Sequence, residues 1–450
     1  MLTLNKIPMK KILLAILLAF SFAGNAQTWT TQATGFTNPN RTLNSISIVN
    51  ANIIWANEFD AANQDYTLKT FTRTTTGGNS WTTGSIYLGA STTDLGISSI
   101  TAVSASTAWV SVFPDAIPTT QLGGIWKTTD GGATWEKQAS ALYSSADSYA
   151  NFVHFWDALN GVAVGDPVNG EFEIYTTTNG GANWTIVTDP TNLAPITDEL
   201  GYFNSYSVSG DSFWFGTSKG RIFKSTNKGL TWTVTQSPGV DQNSDFTFST
   251  PLKGLLMKFS TGAPYELYST ANGGENWSLV NAPTGNFYKT DIAYIPGTSN
   301  IIASASQTPY SSRYSNDDGL TWTTIDTGVF HGTLAFLNVN VGFSAGVNTD
   351  ATTGGIFKFS PGTLKTSSFN LNNQIAAYPN PTNGLLQINA KESLVKEATV
   401  YDLLGKKVYS SKISPSSNTS LDLKSLQNGI YNLKVTSDTG KIENIKIMKN

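Results

Sequence analysis

The eight residues 128–135, TTDGGATW, decide the fold of this 450-residue chain, because the same pattern occurs five more times. A hydroxyl residue opens each copy, a Gly stands at the fifth position and a Trp closes it. A motif that recurs at a regular spacing along a chain is typical of propellers, solenoids and other repeat architectures. The six copies, called Trp motifs below, end at Trp81, Trp135, Trp184, Trp232, Trp277 and Trp322, which are 45 to 54 residues apart.

The segments between Trp motifs predict strands. Each contains two short apolar runs joined by a turn, a third run leading into the motif and a fourth beginning at its Trp. Four strands in about 48 residues make one propeller blade. We therefore predict an all-β chain with a seven-bladed β-propeller at residues 27–362. The seven pairs of runs lie at 43–56, 100–112, 152–164, 202–216, 246–259, 290–305 and 333–345.

The two ends of this region complement each other. A seventh Trp motif is missing, because the run from Gly354 to Phe359 stops at Ser360 and Pro361. The run from Thr28 to Thr31 is a fourth strand without a blade. Pairing the two would close the ring and leave no open sheet edge.

Composition excludes several classes of protein. Only 13% of residues are charged. The chain contains no Cys, and this excludes disulfides, thiolate nucleophiles and Cys-based zinc sites. The two His, His154 and His331, leave little for a metal site, so we predict no metal and no cofactor. Residues 27–372 carry 15 Lys and Arg against 25 Asp and Glu. This acidic body argues against nucleic acid as a partner.

The N-terminus predicts export. Lys10 and Lys11 precede an apolar run at 12–20, and Gly24-Asn25-Ala26 forms a small-residue cleavage site. We therefore predict a signal peptide at residues 1–26. The apolar run is too short to span a bilayer, and no later segment reaches that length, so we predict no transmembrane segment in the mature chain.

The C-terminal residues form a separate, mildly basic unit. After a polar linker at 363–372, the segments AYPNPTNG (377–384), VYDLLGKKV (400–408) and NGIYNLKV (428–435) alternate as short strands with turns, which predicts a small β-sandwich at 373–450. An immunoglobulin-like accessory domain is the alternative. The series resembles the type A C-terminal sorting domain of the type IX secretion system of Bacteroidota. The resemblance implies engagement of that machinery, passage through the outer membrane, and a secreted or cell-surface protein.

The Trp motif itself resembles the Asp-box (BNR) repeat of sialidases, sortilin-like receptors, xyloglucanases and photosystem II assembly-factor propellers. Asn or Thr replaces Asp in four of the six copies, so we interpret the motif as structural rather than catalytic or calcium-binding. The residues assigned this structural role are Asp130, Trp135, Asn179, Trp184, Asn227, Trp232, Asn272, Trp277, Asp317 and Trp322.

Functional residues are expected on the opposite face, around the central channel. The candidate catalytic carboxylates are Asp60, Asp115 and Asp166, and glycoside hydrolysis would need two of them across a cleft. Sialidase chemistry needs three Arg that converge on the substrate. The mature chain has only four Arg, and two of them lie beside Trp motifs, so we do not expect a sialidase. The candidate ligand-binding residues are Tyr66, Asp166, Glu199, Tyr202 and His331.

These observations leave two functions open. The first is a non-enzymatic binding module for a polysaccharide or a protein, because the scaffold and the export tag are complete while no catalytic set converges. The alternative is a glycoside hydrolase or polysaccharide lyase that acts on extracellular polysaccharide.

Overall fold

The chain divides into two compact units, Met1–Thr363 and Leu364–Asn450. The predicted signal peptide and linker lie outside the residues that the structure, a computed structural model, describes. Those residues are 27–90, 92–115, 121–145, 147–238, 245–258, 265–280, 291–306, 308–361, 375–391, 393–402, 405–439 and 442–450.

The first unit contains seven antiparallel four-stranded sheets within the described residues. Six of them take their strands from consecutive segments of the chain. Blade one consists of β2 (Arg41–Ile48), β3 (Ile54–Asp60), β4 (Thr70–Thr74) and β5 (Thr82–Ser85), and blade two of β6 (Leu95–Ala102), β7 (Ala108–Pro114), β8 (Gly124–Thr128) and β9 (Glu136–Lys137). Blade three consists of β10 (Ala150–Phe155), β11 (Gly161–Val168), β12 (Glu171–Thr177) and β13 (Thr185–Val187), and blade four of β14 (Gly201–Ser209), β15 (Ser212–Thr217), β16 (Arg221–Ser225) and β17 (Thr233–Gln236). Blade five consists of β18 (Asp245–Phe248), β19 (Gly254–Lys258), β20 (Glu266–Thr270) and β21 (Ser278–Leu279), and blade six of β22 (Asp291–Tyr294), β23 (Ile301–Ala305), β24 (Ser311–Ser315) and β25 (Thr323–Thr327).

The seventh blade joins the two ends of the propeller. Its first three strands are β26 (Leu334–Asn338), β27 (Val341–Asp350) and β28 (Thr353–Ser360), and its outer strand is β1 (Thr28–Ala33). Thr28 pairs with Ser360 and Ala33 with Gly355. The predicted closure by the N-terminal strand is confirmed.

The first strands of the seven blades form a closed ring. Strands β2, β6, β10, β14, β18, β22 and β26 each contact the next in order, and β26 contacts β2. The chain therefore folds as a seven-bladed β-propeller, as its repeat predicts. Within the described ranges, no helix is long and apolar enough to cross a membrane.

Aromatic side chains fill the space between blades. Trp109 of blade two stacks on Phe155 of blade three, with ring centroids 3.5 Å apart. Trp214 of blade four stacks on Phe248 of blade five at 3.9 Å. Aromatic pairs of this kind contribute about 0.5–1.5 kcal/mol beyond the burial of their area.

Each Trp motif is a tight turn held by its own side chains. Thr128 Oγ1 accepts the N–H of Gly132 at 2.9 Å and donates to Asp130 Oδ1 at 2.8 Å. Asp130 accepts both the N–H and the hydroxyl of Thr134, and these bonds lower the pKa of Asp130 to about 2. A carboxylate used in this way serves the turn. The same N–H contact, from the residue four positions on, is made to Asn179, Asn227, Asn272 and Asp317.

The glycine of the motif allows a close approach between blades. Gly132 has φ +90°, and a Cβ there would lie 2.2 Å from the Phe71 ring of blade one. Trp135, Trp184, Trp232 and Trp322 are buried.

The described residues of the second unit form two sheets, ordered β29-β30-β33 and β32-β31-β34-β35. Leu386, Ile388, Val400 and Leu433 belong to its one apolar core. The predicted small β-sandwich is confirmed. Its strands are β29 (Ile375–Tyr378), β30 (Leu385–Ala390), β31 (Val395–Tyr401), β32 (Lys407–Ser416), β33 (Asn418–Asp422), β34 (Gly429–Ser437) and β35 (Ile442–Lys449).

Candidate functional site

A cavity of about 1390 Å³ occupies the centre of the propeller. All seven inner strands contribute to its wall, so it is the channel of the ring. Its described lining residues include five Asp and one Lys, Lys219, together with many Tyr, Phe, Ser and Asn side chains. The channel is therefore polar, aromatic and acidic.

Side chains of the inner strands join neighbouring blades. At one position of the repeat, a hydroxyl or carboxyl group accepts the backbone N–H of the next inner strand at 2.7–3.0 Å. Blades one and two use Ser, whereas blades five and six use Asp. The four contacts are Ser45 to Ile100 N, Ser99 to Val153 N, Asp245 to Ile292 N and Asp291 to Leu334 N.

Asp245 and Asp291 form a pair of carboxyl groups in the channel wall. Their side chains hydrogen-bond to each other, so at least one must carry a proton. Burial raises the pKa of both, and the nearby Asp291 raises that of Asp245 further. The pair is a site that our sequence analysis missed. It could have been found by aligning the inner strands, where Asp245 and Asp291 stand at the position of Ser45 and Ser99.

The inner strand of blade four crosses the channel. Tyr202–Ser205 face the single residue Gly216, whereas the first three inner strands each carry a one-residue bulge. Asn204 has φ +55°, and its Nδ2 donates to the carbonyl oxygens of Asn44 and Ser98 at 3.3 and 3.2 Å. These acceptors belong to blades one and two, so the bulge spans the ring.

The bulge also inserts an aromatic ring beside the channel. The Phe203 ring lies 4.6 Å from Phe113, 5.2 Å from Tyr66 and 5.8 Å from Tyr149, measured between centroids. Tyr66, Tyr149 and Phe203 line the cavity, as does Tyr202. The predicted ligand-binding residues Tyr66 and Tyr202 therefore do lie at the channel.

Asp166 is the predicted catalytic carboxylate that lines this cavity. Its Oδ1 accepts Asn151 Nδ2 and the N–H of Gly201, both at 2.8 Å. Burial raises the pKa of Asp166, although these two bonds oppose the effect. Asp166 thus joins blades three and four and also presents a carboxyl group to the channel.

The other two predicted catalytic carboxylates are not among the described lining residues of the cavity. Asp60 is 4% exposed and forms an ion pair with Arg41, which also contacts Glu58. Burial raises the pKa of Asp60, but hydrogen bonds from Asn63, Arg41 and the backbone outweigh it and set the pKa at about 2. Asp115 is exposed, and its backbone N–H donates to Asp94 O. The three carboxylates are therefore not brought together in the channel.

Glu199 and His331 are buried in the propeller wall. Glu199 is 3% exposed and pairs with Arg221 and Thr217. His331 is 0% exposed, and its ring nitrogens contact Asp326 at 2.8 Å and Ser344 at 3.1 Å. Both residues have their polar atoms engaged by the protein, and neither is among the described lining residues. No cluster of three or more His, Asp or Glu that could hold a metal occurs among the described residues.

The second unit matches a known protein family. Residues 376–450 match the family model of the secretion system C-terminal sorting domain. Such a domain marks proteins that the type IX secretion system delivers to the cell surface or the extracellular space.

One curated relative is an ulvan lyase, NLR42, of Nonlabens ulvanivorans. It is 23% identical over 204 residues, which is 42% of this chain and 38% of the lyase. The chain thus aligns with well under half of that enzyme.

Solved structures similar to this chain include YCF48 bound to a D1 peptide and YCF48 from Cyanidioschyzon merolae. They are 16% and 18% identical, with TM-scores of 0.52 and 0.51. Each comparison covers about three quarters of this chain, 76% and 74%, and 98% of the other. At this identity the likeness shows the fold alone. The chain is a seven-bladed β-propeller that carries a secretion system C-terminal sorting domain and is exported to the cell surface or beyond.

Proposed function

We propose that the exported propeller binds an extracellular polysaccharide in its central channel without cleaving it. The supporting observation is the channel itself, a 1390 Å³ cavity where Tyr66, Tyr202 and Asp166 lie together among hydroxyl and amide groups. Aromatic faces with a few placed polar groups are the usual lining of a ligand site.

The arrangement of the carboxyl groups argues against glycoside hydrolysis. That reaction needs two carboxyl groups about 5–10 Å apart, with room for the sugar between them. Asp60 is held by Arg41, Asp115 is exposed and is not among the described lining residues, and Asp245 and Asp291 contact each other directly. A binding module needs none of these groups to be free.

A polysaccharide lyase is the second candidate, favoured by the similarity to the ulvan lyase. Lyases eliminate next to the carboxylate of a uronic acid, so their sites must accommodate an anion. Asp147, Asp166 and Asp198 line the described channel wall, and Asp245 and Asp291 add a pair that holds at least one proton, against a single Lys. The net negative charge would repel a polyanion. The channel suits an uncharged chain better.

The test uses the purified full chain and a panel of soluble glucans, xylans, mannans, galactans and polygalacturonate. Calorimetry measures binding, and reducing ends and absorbance of unsaturated products measure cleavage. Ala335 lines the cavity, so Ala335→Trp should place a large ring in the path of the polysaccharide and abolish binding. Leu320→Trp, at an exposed residue of the blade-six Trp motif, is the matched control.

We expect binding without product, lost in Ala335→Trp and kept in Leu320→Trp. If product is released and Ala335→Trp abolishes that release, the protein is an enzyme and the proposed binding function is wrong. Binding that survives Ala335→Trp would exclude the channel as the site, and binding to no member of the panel would exclude the proposed function.

A further inference from the structure

We infer that the channel contains a subsite for one uncharged pyranose ring, built from Asp166, Asn151 and the aromatic group around Phe203. This inference rests on the proposed function and names the class of sugar that the channel recognises. Its three parts are an oriented carboxyl group, an aromatic surface and a local charge that selects against anions.

The carboxyl group is held in one orientation. Asn151 is 2% exposed, and both Asn151 Nδ2 and the N–H of Gly201 donate to the same oxygen, Asp166 Oδ1. Among the described residues no donor reaches Oδ2, so this oxygen is available to hydroxyl groups of a ligand. A pre-oriented carboxylate makes strong charge-assisted hydrogen bonds at little cost in entropy.

Gly201 limits the space around this carboxyl group. A Cβ at position 201 would lie 2.4 Å from Asn151 Nδ2 and 3.3 Å from Asp166 Oδ1. The absence of a side chain lets the backbone N–H reach the carboxylate directly. The geometry of Asp166 is therefore set by two neighbours in two blades.

The aromatic surface lies beside the carboxyl group. Tyr149 is close enough to Asp166 that the carboxylate contributes to raising the Tyr149 pKa, after burial and Asp115. The Tyr149 and Phe203 rings are parallel within 5°. The C–H face of a pyranose packs on an aromatic ring, while its equatorial hydroxyls point sideways towards polar groups. Asp166 stands where such hydroxyls would donate.

The contact that Asp166 makes between blades three and four does not by itself require a carboxyl group. Ser45 and Ser99, on the inner strands of blades one and two, also accept a backbone N–H of the next blade, and they do so with a hydroxyl group. A carboxyl group with a raised pKa is a less stable choice for that purpose. Asp245 and Asp291 also join blades with carboxyl groups, but these two are hydrogen-bonded to each other, whereas both described donors to Asp166 reach Oδ1. The second oxygen of Asp166 is therefore the one that would accept hydrogen bonds from a ligand.

The ligand must be an uncharged donor. Asp147 and Asp198 line the same cavity as Asp166, so a sulfate or uronate group would be repelled. A basic peptide would be attracted by the charge. It would not, however, place a flat C–H face on the aromatic rings around Phe203 and adjacent hydroxyls beside Asp166. Neutral hexose and pentose chains meet all three requirements.

The test compares matched variants of the full chain against cellohexaose, laminarihexaose, xylohexaose, mannohexaose, hexagalacturonate and a hexalysine peptide. Asp166→Asn keeps the shape and the Oδ1 acceptor but turns the other position into a donor. Glu136→Gln removes an exposed carboxyl group on β9, outside the described cavity lining, and is its control. Phe203→Leu removes the aromatic face and gives a second, independent readout.

We expect one neutral hexasaccharide to bind, with affinity reduced at least tenfold by Asp166→Asn, about fivefold or more by Phe203→Leu, and less than twofold by Glu136→Gln. Thermal unfolding verifies that each variant folds; if Asp166→Asn does not, Phe203→Leu decides. Preferential binding of hexagalacturonate or hexalysine would overturn the inference, as would an affinity of Asp166→Asn equal to that of Glu136→Gln.

The two proposals fail differently. If Ala335→Trp abolishes binding while Asp166→Asn and Phe203→Leu do not, the channel binds polysaccharide but this subsite is wrong. If no sugar binds, both proposals are wrong.

Discussion

The carboxyl groups of Asp245 and Asp291 contact each other across the boundary between blades five and six. Each also accepts a backbone N–H from the following blade, which Ser45 and Ser99 do with a hydroxyl group in blades one and two. Two carboxyl groups in contact cannot both ionise without repulsion. The pair therefore makes the stability of the propeller depend on pH.

Asp291→Ser should stabilise the propeller at pH 7 by roughly 0.5–2 kcal/mol, because Ser keeps the contact to Leu334 N and removes a buried carboxyl group whose ionisation is opposed by Asp245. The pKa of each Asp is raised in the folded state, so the native pair holds its protons more tightly than the unfolded chain does. Its contribution is most favourable below the unfolded pKa of about 3.9 and declines as the pH rises.

The advantage of Asp291→Ser should therefore grow between about pH 4 and neutral. Urea unfolding across this range measures it, with Asp115→Ser as the exposed control. A constant difference at every pH would show that the pair is not coupled.

The Trp motif gives a second prediction. Thr128 is 1% exposed and its hydroxyl accepts the N–H of Gly132, so Thr128→Val leaves a buried donor without its acceptor. The expected loss is about 1–3 kcal/mol of unfolding free energy. Thr128→Ser keeps the hydroxyl, as Ser225 and Ser315 do in their copies, and should unfold close to wild type. Equal unfolding midpoints for Val and Ser would contradict this role.

Arg41 gives a third prediction. Arg41→Met leaves Glu58 and Asp60 buried without their cation and should cost about 3–5 kcal/mol at pH 7. The pKa of Asp60 is lowered to about 2, so its stabilising contribution exists above about pH 3.9 and disappears as the pH falls towards 2. The difference from wild type should therefore shrink in acid.

The control for Arg41 is Lys228→Met, which breaks two partly exposed ion pairs, to Asp157 and Asp211, and should change stability by less than about 1 kcal/mol. Arg41 is not among the described lining residues, so oligosaccharide affinity of folded Arg41→Met should equal that of wild type. Reduced affinity in the folded variant would place Arg41 and Asp60 in the binding site.

The sorting domain gives a fourth prediction. A chain that ends at Pro361 lacks the matched residues 376–450 and should accumulate in the periplasm of a host with type IX secretion. Fractionation followed by immunoblotting compares it with the full chain. Equal amounts at the surface would mean that another part of the chain directs export.

The repeat predicts most of the fold because its signal is local. Six Trp motifs and seven pairs of runs define the blades, and Thr28–Thr31 supplies the missing strand. The bulge at Tyr202–Ser205 has no such signal, since its alternating residues continue the strand pattern. Asn204 bends away because it finds acceptors on Asn44 and Ser98, which lie over 100 residues earlier in the chain.

The candidate site was only partly predictable for the same reason. Asp166, Tyr66 and Tyr202 lie near strand ends and were expected at the channel. His331 also lies before a strand, yet it is buried because β1 brings Trp29 to within 5.1 Å of its ring. Burial of that kind depends on ring closure, which a single local segment does not show.

The pairing of Thr28 with Ser360 also sets the order in which the propeller can be completed. Strand β1 is the first strand of the propeller in the chain, whereas β28 follows after more than 300 further residues. Until then β1 has no partner and blade seven has an open edge, which is a template for wrong pairing. A contact of such long range forms slowly. We therefore expect the last docking step to limit the rate of folding, with the chain most prone to aggregate or to require a chaperone just before the ring closes.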